Sequence, residues 1–394
     1  MKWRRKEDGW RVPVLSWCAN VDDGAMEQAC NLARHPVVFH HVAMMPDAHK
    51  GFGMMIGGVI ACDGAVIPNA VGKDIGCGMI AVRTNVSVDM LDERGRIAIM
   101  NQLKRDIPVG FNHHKEDQEW GGFDNAPDIE IIQRELPSAR RQLGTLGSGN
   151  HFLEIQAGSD GVIWLMLHSG SRNFGLKIAD YFNKKAMNLC AMWHSDLPPG
   201  KGEDSLAFLP IGSREARDYI KAMNYALSFA EENRNAMMRA FKKAFCDETG
   251  GCCLDNINIH HNYAAHEHHF GRNVWVHRKG ATRARKGEMG IIPGSMGTSS
   301  YIVRGLGNKD SFESCSHGAG RAMASGLFSR THTVEECNAE MEGIGFDGWG
   351  TRRNGEPNLS EAPSAYKDIN EVIAAQSDLV EVVVKLKPLR VMKG

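Results

Sequence analysis

The apolar positions fall into one long periodic stretch and many short runs. Arg214–Phe245 contains no Pro or Gly and repeats apolar residues at helical spacing, and Ser213 stands where an N-cap belongs. This predicts a long amphipathic helix. Leu176–Trp193 predicts a second helix on the same grounds. Ala25–Arg34, introduced by Asp22-Asp23-Gly24 and closed by Pro36, predicts a shorter one. Val88–Lys104 predicts another that ends ahead of Pro108, and further helices are predicted at Ala319–Phe328, Val334–Met341 and Ile369–Gln376. Between them lie short apolar runs that predict strands: Val37–Met44, Met79–Thr84, Phe152–Ile155, Val162–Leu167, Ile257–Ile259, Val274–His277, Gly290–Ile292 and Tyr301–Val303. Met54–Ala61 and Ala65–Ile67 predict a hairpin around Cys62-Asp63-Gly64, and Val380–Leu386 a closing strand that stops before Pro388. Strands and helices alternate over the full length, with no repeat, no low-complexity linker and no shift in composition. The pattern therefore predicts an α/β (mixed α+β) fold, one large domain over residues 1–394.

Composition narrows the function classes. The 394 residues are 42% hydrophobic and 24% charged, which excludes a disordered, collagen-like or coiled-coil chain. Lys+Arg 46 against Asp+Glu 47 gives a net charge of -1, so any anionic partner must be held by a local basic patch and not by bulk charge. The apolar runs are far shorter than the ~20 residues needed to span a bilayer, and the basic N-terminus leads into Glu7-Asp8-Gly9 instead of an apolar core. No membrane association and a cytoplasmic location are expected. Ten Cys in a chain of this length is not a disulfide scaffold, and 17 His points toward metal or acid–base chemistry.

The candidate chemistry lies in seven segments. Pro46-Asp47-Ala48-His49-Lys50-Gly51 follows a predicted strand and reads as a loop that presents polar side chains, or as a plain Gly-rich turn. Asp74-Ile75-Gly76-Cys77 sets a carboxylate and a thiol three apart among glycines, a spacing that suits a divalent metal. Gly144-Thr145-Leu146-Gly147-Ser148-Gly149-Asn150-His151 runs into a strand bearing Phe152, Leu153 and Glu154. Its backbone N–H groups can cradle phosphate, but it is neither a Walker loop nor a dinucleotide fingerprint. His168 ends a strongly apolar strand, as a ligand or as a core histidine. His260 and His261 point to opposite faces of an extended chain, so only one can face a site, while His266, His268 and His269 read as surface residues. His277-Arg278-Lys279 through Lys286 is the clearest cationic patch and could meet a phosphate backbone or simply be solvated. It leads to Pro293-Gly294-Ser295-Met296-Gly297, a second anion cradle. Ser316-His317-Gly318-Ala319-Gly320-Arg321 reads as a helix start whose imidazole can attack phosphorus, or as a simple cap.

In combination these segments resemble the RtcB family of RNA ligases over nearly the whole chain, from Met45-Pro46-Asp47 to Lys393-Gly394. The resemblance rests on Asp74-Ile75-Gly76-Cys77-Gly78-Met79, Gly149-Asn150-His151-Phe152, His168-Ser169-Gly170-Ser171-Arg172, His261-Asn262-Tyr263, Arg278-Lys279-Gly280-Ala281, Ile292-Pro293-Gly294-Ser295-Met296-Gly297 and Ser316-His317-Gly318-Ala319-Gly320-Arg321. It implies mixed sheets around a central metal and nucleotide cleft. It implies a GTP-dependent ligase that uses two Mn²⁺ ions and joins RNA 3′-phosphate or 2′,3′-cyclic phosphate ends to 5′-hydroxyl ends in RNA repair or tRNA splicing. A histidine is guanylylated, GMP passes to the RNA 3′-phosphate, and the 5′-hydroxyl displaces it. By motif position the nucleophile is His317, oriented by Asp47. The implied metal ligands are Asp74, Cys77, His151, His168 and His261. The implied nucleotide contacts are Asn150, His151, Phe152, Leu153, Glu154, His261, Asn262, Pro293, Gly294, Ser295, Met296, Ser300, Gly318, Ala319, Gly320, Tyr366 and Lys393. Glu154 would accept from guanine N1 and N2 and so help to reject ATP.

There is one departure. Family members usually carry a second arginine four residues after the one matching Arg321, and here that position is Ser325. Its loss bears on the RNA-end site, not on guanylylation, and suggests a divergent paralogue. Two other readings compete: a metal-dependent RNA-end phosphatase or cyclic phosphodiesterase that has lost joining, and a non-catalytic RNA scaffold. Both leave His317 and the guanine contacts without a purpose. The natural RNA, the oligomeric state and any activating or release-factor-like protein partner are not derivable from the residues.

Overall fold

A computed structural model describes residues 1–323, 325–352 and 355–394, with the side chain of Ser325 also outside the description. The departure noted at that position therefore lies outside the described residues. Two sheets carry the architecture. The six-stranded sheet runs β1 (Trp3–Arg5), β2 (Val14–Ser16), β3 (Val38–His49), β4 (Ile56–Cys62), β12 (Arg272–Lys279) and β11 (Asn262–His269). It is mixed, since β2 and β3 are parallel and its other pairs antiparallel. The seven-stranded antiparallel sheet runs β10 (Cys253–His260), β6 (Gly78–Ser87), β8 (Val162–Ser169), β7 (Phe152–Gly158), β17 (Val380–Lys393), β15 (Ser300–Gly305) and β14 (Met289–Ile292). Two small ribbons pair β5 (Ala65–Val66) with β9 (Leu209–Pro210) and β13 (Ala281–Arg283) with β16 (Ser314–Ser316). The mixed α/β class holds.

The helices are α1 (Asp23–Arg34), α2 (Glu93–Asp106), α3 (Glu130–Gln142), α4 (Arg172–Met192), α5 (Arg214–Thr249), α6 (Ser325–Thr331), α7 (Val334–Ala339) and α8 (Ile369–Ala374). Asp22 caps α1 by accepting from Ala25 N, and Ala25, Ala29, Leu32 and Ala33 form its buried stripe. Ser213 caps α5, and Gly250 ends it at φ 67°, a left-handed C-cap. None of the helices among the described residues is long and apolar enough to cross a membrane.

The middle of α5 positions the functional loops. Asn233 accepts from Gly144 N (2.7 Å) and Thr145 N (3.1 Å) and donates to Gly170 O (3.0 Å). Arg234, fully buried, donates to Gly76 O (2.9 Å), Ser169 O (3.2 Å) and Asn258 Oδ1 (2.8 Å). Burial pulls its guanidinium down to about 10, and the backbone carbonyls replace the water it has lost. One helix turn thus ties together the glycine-rich segments around residues 76, 144 and 170.

Several expectations need correction. Met54–Ala61 and Ala65–Ile67 form no hairpin: β4 pairs with β3 and β12, whereas β5 pairs with β9. Asp47 lies on β3 and not in a loop after it. The closing strand does not stop at Pro388. β17 continues to Lys393, with a register shift between Pro388 and Arg390 that absorbs the missing donor. The helix expected from Ala319 begins only at Ser325. The sequence pattern does not mark the short strands β1, β2, β9, β13 and β16, nor α3 and the histidine-rich β11.

Candidate active site

The five side chains assigned to metal ions converge where the two sheets meet, because His261 sits between β10 of one sheet and β11 of the other. Cys77 Sγ lies 3.4 Å from His151 Nε2 and 3.3 Å from His168 Nε2. His168 Nε2 lies 3.4 Å from His261 Nε2, and Asp74 Oδ2 lies 3.3 Å from His151 Nε2. The rings are aimed by the backbone. His151 Nδ1 meets Leu146 O at 2.9 Å and His168 Nδ1 meets Asn150 O at 3.1 Å. A carbonyl only accepts, so each Nδ1 carries the proton and each Nε2 turns its lone pair inward. Asp74 is fixed by Ser171, whose N (3.0 Å) and Oγ (3.2 Å) donate to Oδ1.

This donor set fits a divalent cation. Burial, reinforced by the Asp74 charge, pushes the Cys77 thiol well up. Burial likewise holds His168 and His261 well below the usual histidine range, as neutral ligands. A thiol packed against a carboxylate becomes a thiolate only beside a positive charge. The Nδ1 of His261 is buried without a hydrogen-bond partner among the described residues, a polar cost that a ring held by a metal on its other nitrogen would offset. The buried Cys77–His151–His168 cluster is therefore a metal-binding arrangement.

His317 stands beside it, its ring centroid 4.9 Å from that of His261. His317 Nδ1 meets Asp47 Oδ2 at 2.6 Å, and the His317 peptide N donates to the same oxygen at 3.2 Å. Asp47 is fully buried, and its Oδ1 has no hydrogen-bond partner among the described residues. The carboxylate fixes the Nδ1–H tautomer, which leaves Nε2 as the free base. Close approach makes this possible: Gly320, at φ 76°, packs on the Asp47 backbone where a Cβ would collide. The dipole of a helix start plays no part, since His317 follows β16 directly and the next helix begins at Ser325.

A cleft of about 470 Å³ opens from His317 and His168. Of the residues assigned to the nucleotide, Asn150, Phe152, Pro293, Gly294, Ser295, Met296, Gly318, Ala319, Gly320, Tyr366 and Lys393 line it. Others lie elsewhere. Leu153 is core. Asn262 braces the metal loop, donating to Asp74 O (3.0 Å) and accepting from Gly280 N (2.8 Å). His151 and His261 face the cluster. Ser300 accepts from Gly294 N (3.2 Å) beneath the cleft. Glu154 is buried, with its carboxyl pushed up to about 7 by burial against the pull of Lys393, and Gln156 donates to it.

Sequence reasoning missed two charged groups here. Glu361 accepts from Tyr366 Oη (2.7 Å), Lys393 Nζ (2.9 Å) and Arg321. Burial alone would raise its carboxyl, but Lys393 and Arg321 outweigh that and hold it ionised. Arg172 is the other. It adopts φ 59°, rare for a non-glycine residue, and its guanidinium makes only 3.4 Å contacts to Thr145 Oγ1, His151 Nδ1 and Gly110 O. It forms no ion pair among the described residues, and a Cβ on Gly147 would strike it. The available signal was its place directly after the Ser171 that holds Asp74.

The expected cationic patch is only partly on the surface, where Arg285 and Lys286 are exposed. Arg278 is buried and paired with Glu267 at 2.6 and 3.1 Å, and Lys279 is buried with its amine lowered by burial to about 7. Arg283 pairs with Glu288, and Arg285 with Glu313. His266 and His268 are exposed as expected, but His269 is buried against Glu267.

Comparison with known proteins agrees with this geometry. The family model described as tRNA-splicing ligase RtcB matches residues 28–125 and 115–394. The chain is 40% identical to the RNA-splicing ligase RtcB of Escherichia coli (strain K12), over 97% of this chain and 98% of that protein. It is 32% identical to the tRNA-splicing ligase RtcB of Pyrobaculum aerophilum (98% and 95%) and 30% identical to that of Nanoarchaeum equitans (99% and 97%).

Proposed function

The chain belongs to the RtcB family of RNA ligases, and from that membership we propose that it joins RNA ends bearing a 3′-phosphate or 2′,3′-cyclic phosphate to ends bearing a 5′-hydroxyl, consuming GTP. It acts in RNA repair or tRNA splicing, as one catalytic unit over the whole chain, in the cytoplasm. The observation that carries this reading is the 2.6 Å contact between His317 Nδ1 and the buried Asp47 carboxylate, beside a Cys–His cluster.

The residues divide the work. Asp47 holds the proton on Nδ1 and stabilises the positive charge that the ring gains as Nε2 attacks the α-phosphorus of GTP. A P–N bond forms, the bond to the β-phosphate bridge breaks, and pyrophosphate leaves. An oxygen of the RNA 3′-phosphate then takes the guanylyl group from Nε2, and the 5′-hydroxyl finally displaces GMP as the phosphodiester closes. A cyclic phosphate is first opened to the 3′-phosphate. Asp74, Cys77, His151, His168 and His261 would hold two Mn²⁺ ions, which when bound supply charge neutralisation at phosphate oxygens. Tyr366, Lys393 and Glu361 wall the nucleotide cleft. Glu154, below Phe152 on β7, is the acceptor for the guanine N1 and N2 donors. A phosphatase or cyclic phosphodiesterase would have no use for an imidazole fixed on a buried carboxylate.

The test is ligation of a 3′-phosphate RNA to a 5′-hydroxyl RNA with GTP and Mn²⁺. Joining that requires both supports the reading. Release of inorganic phosphate without joining, or joining of 3′-hydroxyl to 5′-phosphate ends, overturns it.

A further inference from the structure

Two cavities reach the metal-ligand cluster, and the proposed nucleotide occupies only one. The second, of about 570 Å³, is lined by the ligands Asp74 and His151 together with Lys73, Phe111, His113 and Arg172. It shares Asn150 with the first but contains neither His317 nor Asp47. Its volume lies in the range of sites that enclose a small ligand such as a nucleotide.

Its walls combine two features. Arg172 is a half-buried cation without an ion-pair partner among the described residues, beside His151. Phe111 is 91% exposed, more than any other large apolar side chain among the described residues. The ring does not stand out because its loop is loose. Gly110 N donates to Gly147 O (2.7 Å), Arg172 Nη2 donates to Gly110 O (3.4 Å), Asn112 N donates to Val109 O (3.2 Å) and His114 N donates to Arg141 O (3.0 Å). The backbone thus holds an apolar ring in water, on a turn bonded to the loop that leads to His151 and next to a guanidinium without an ion-pair partner among the described residues. An aromatic face beside a phosphate-seeking cation is the arrangement that takes up a single-stranded nucleotide.

We propose that this second cavity receives the terminal nucleotide of an RNA strand, its base stacked on Phe111 and its phosphate against Arg172. The inference rests on the ligase reading and extends it: the RNA end reaches the cluster through a cavity other than the one that serves GTP. Both RNA ends offer a base and a phosphate, and the test separates them.

Two short RNAs carry 2-aminopurine at the terminal nucleotide, one on a 3′-phosphate end and one on a 5′-hydroxyl end. Each is titrated with the full chain in Mn²⁺ at fixed salt, since phosphate binding is salt-dependent. Stacking on Phe111 quenches the probe on the strand that uses the cavity, in the wild type and in Phe111→Tyr. In Phe111→Ala the quench is lost and the affinity for that strand falls roughly 5- to 150-fold, with KM for RNA rising in step. Quenching of the 3′-phosphate strand assigns the cavity to the guanylyl acceptor, and quenching of the 5′-hydroxyl strand assigns it to the attacking end. GMP labelling without RNA is the reference. A wild-type chain that forms no GMP adduct overturns the ligase reading and this inference with it. A chain that labels and ligates, yet quenches neither probe or keeps its RNA affinity in Phe111→Ala, overturns this inference alone.

Discussion

Replacing Asp47 by Asn isolates what the buried carboxylate does for His317. The substitution preserves shape and leaves the assigned metal ligands untouched. Asp47 Oδ2 accepts from both His317 Nδ1 (2.6 Å) and the His317 peptide N (3.2 Å), so the amide oxygen, not its NH₂, must take that place. Nε2 therefore keeps its lone pair, and the loss is electrostatic. Attack on phosphorus makes the ring cationic. Two unit charges ~4 Å apart at an effective dielectric of ~20 attract by about 4 kcal/mol, or roughly 10³-fold in rate. A carboxylate-to-amide change behind the imidazole of a serine-hydrolase triad costs about 10⁴-fold, which sets the upper bound. The NH₂ then takes the place of Oδ1, which is buried with no hydrogen-bond partner among the described residues, so a stability loss of about 1–3 kcal/mol accompanies the substitution. The assay is single-turnover labelling with α-labelled GTP and saturating Mn²⁺, with thermal melting as the folding control. A fall of 10²- to 10⁴-fold is expected in a variant whose melting point, though lowered, stays well above the assay temperature. Labelling within about threefold of wild type would mean that the 2.6 Å contact is structural, and would refute the reasoning.

Other perturbations test separate parts of the account. Cys77→Ala and Cys77→Ser should lose bound Mn²⁺ by elemental analysis and GMP labelling together, because a serine hydroxyl gives up its proton far less readily than a thiol; full occupancy in either variant would make Cys77 a packing residue. Arg278→Met leaves Glu267 buried beneath β16, which carries the chain into His317, without its arginine and with His269 as its remaining close partner, and should destabilise the fold by ~3–5 kcal/mol, read as a lowered denaturation midpoint. The pH dependence has a definite sign: burial would raise the Glu267 carboxyl, but Arg278 and His269 hold it well below its unfolded value. Its contribution is therefore complete above the unfolded value of ~4.3 and fades as pH falls below it, so the stability gap between wild type and Glu267→Gln should narrow in that direction; a gap that widens toward acid contradicts the assignment. Ser325→Arg restores the family's usual arginine and should raise ligation of unstructured RNA roughly ten- to a hundred-fold without faster GMP labelling. If ligation stays flat, the departure at that position does not explain RNA-end specificity.

What the chain reveals before folding follows physical range. Helix α5 was readable because its periodicity, its Ser213 cap and its terminal Gly250 are all local. Strands β6, β7 and β8 were readable as apolar runs, and the residues at their ends could be named as ligands from motifs alone. Helix α3 was hidden because Pro137 interrupts it and no side-chain N-cap marks its start, although Glu130 in its first turn and Arg140 and Arg141 in its last fit a helix. Strand β11 was hidden because His266, Glu267, His268 and His269 look like solvated surface, and only the partner Arg278 on β12 shows why Glu267 is inside. The same pairing removed Arg278 from the expected cationic patch. The helix start expected at His317 was misplaced, and the carboxylate that orients the ring came from the family resemblance alone. That carboxylate is Asp47, 270 residues away, and no pattern within the Ser316–Arg321 segment points to it. Glu361 and Arg172 matter through contacts made only when distant loops close on them.

The central claim is that Nε2 of His317 carries the guanylyl group. The chain should be incubated with GTP and Mn²⁺ in the absence of RNA, digested under alkaline conditions that preserve P–N bonds, and mapped by mass spectrometry. The account predicts one GMP on the peptide containing His317, labile to acid, discharged when RNA with a 3′-phosphate is added, and absent from His317→Ala although that variant still binds Mn²⁺. A GMP adduct on a lysine or on another histidine, or one that persists in His317→Ala, would contradict it.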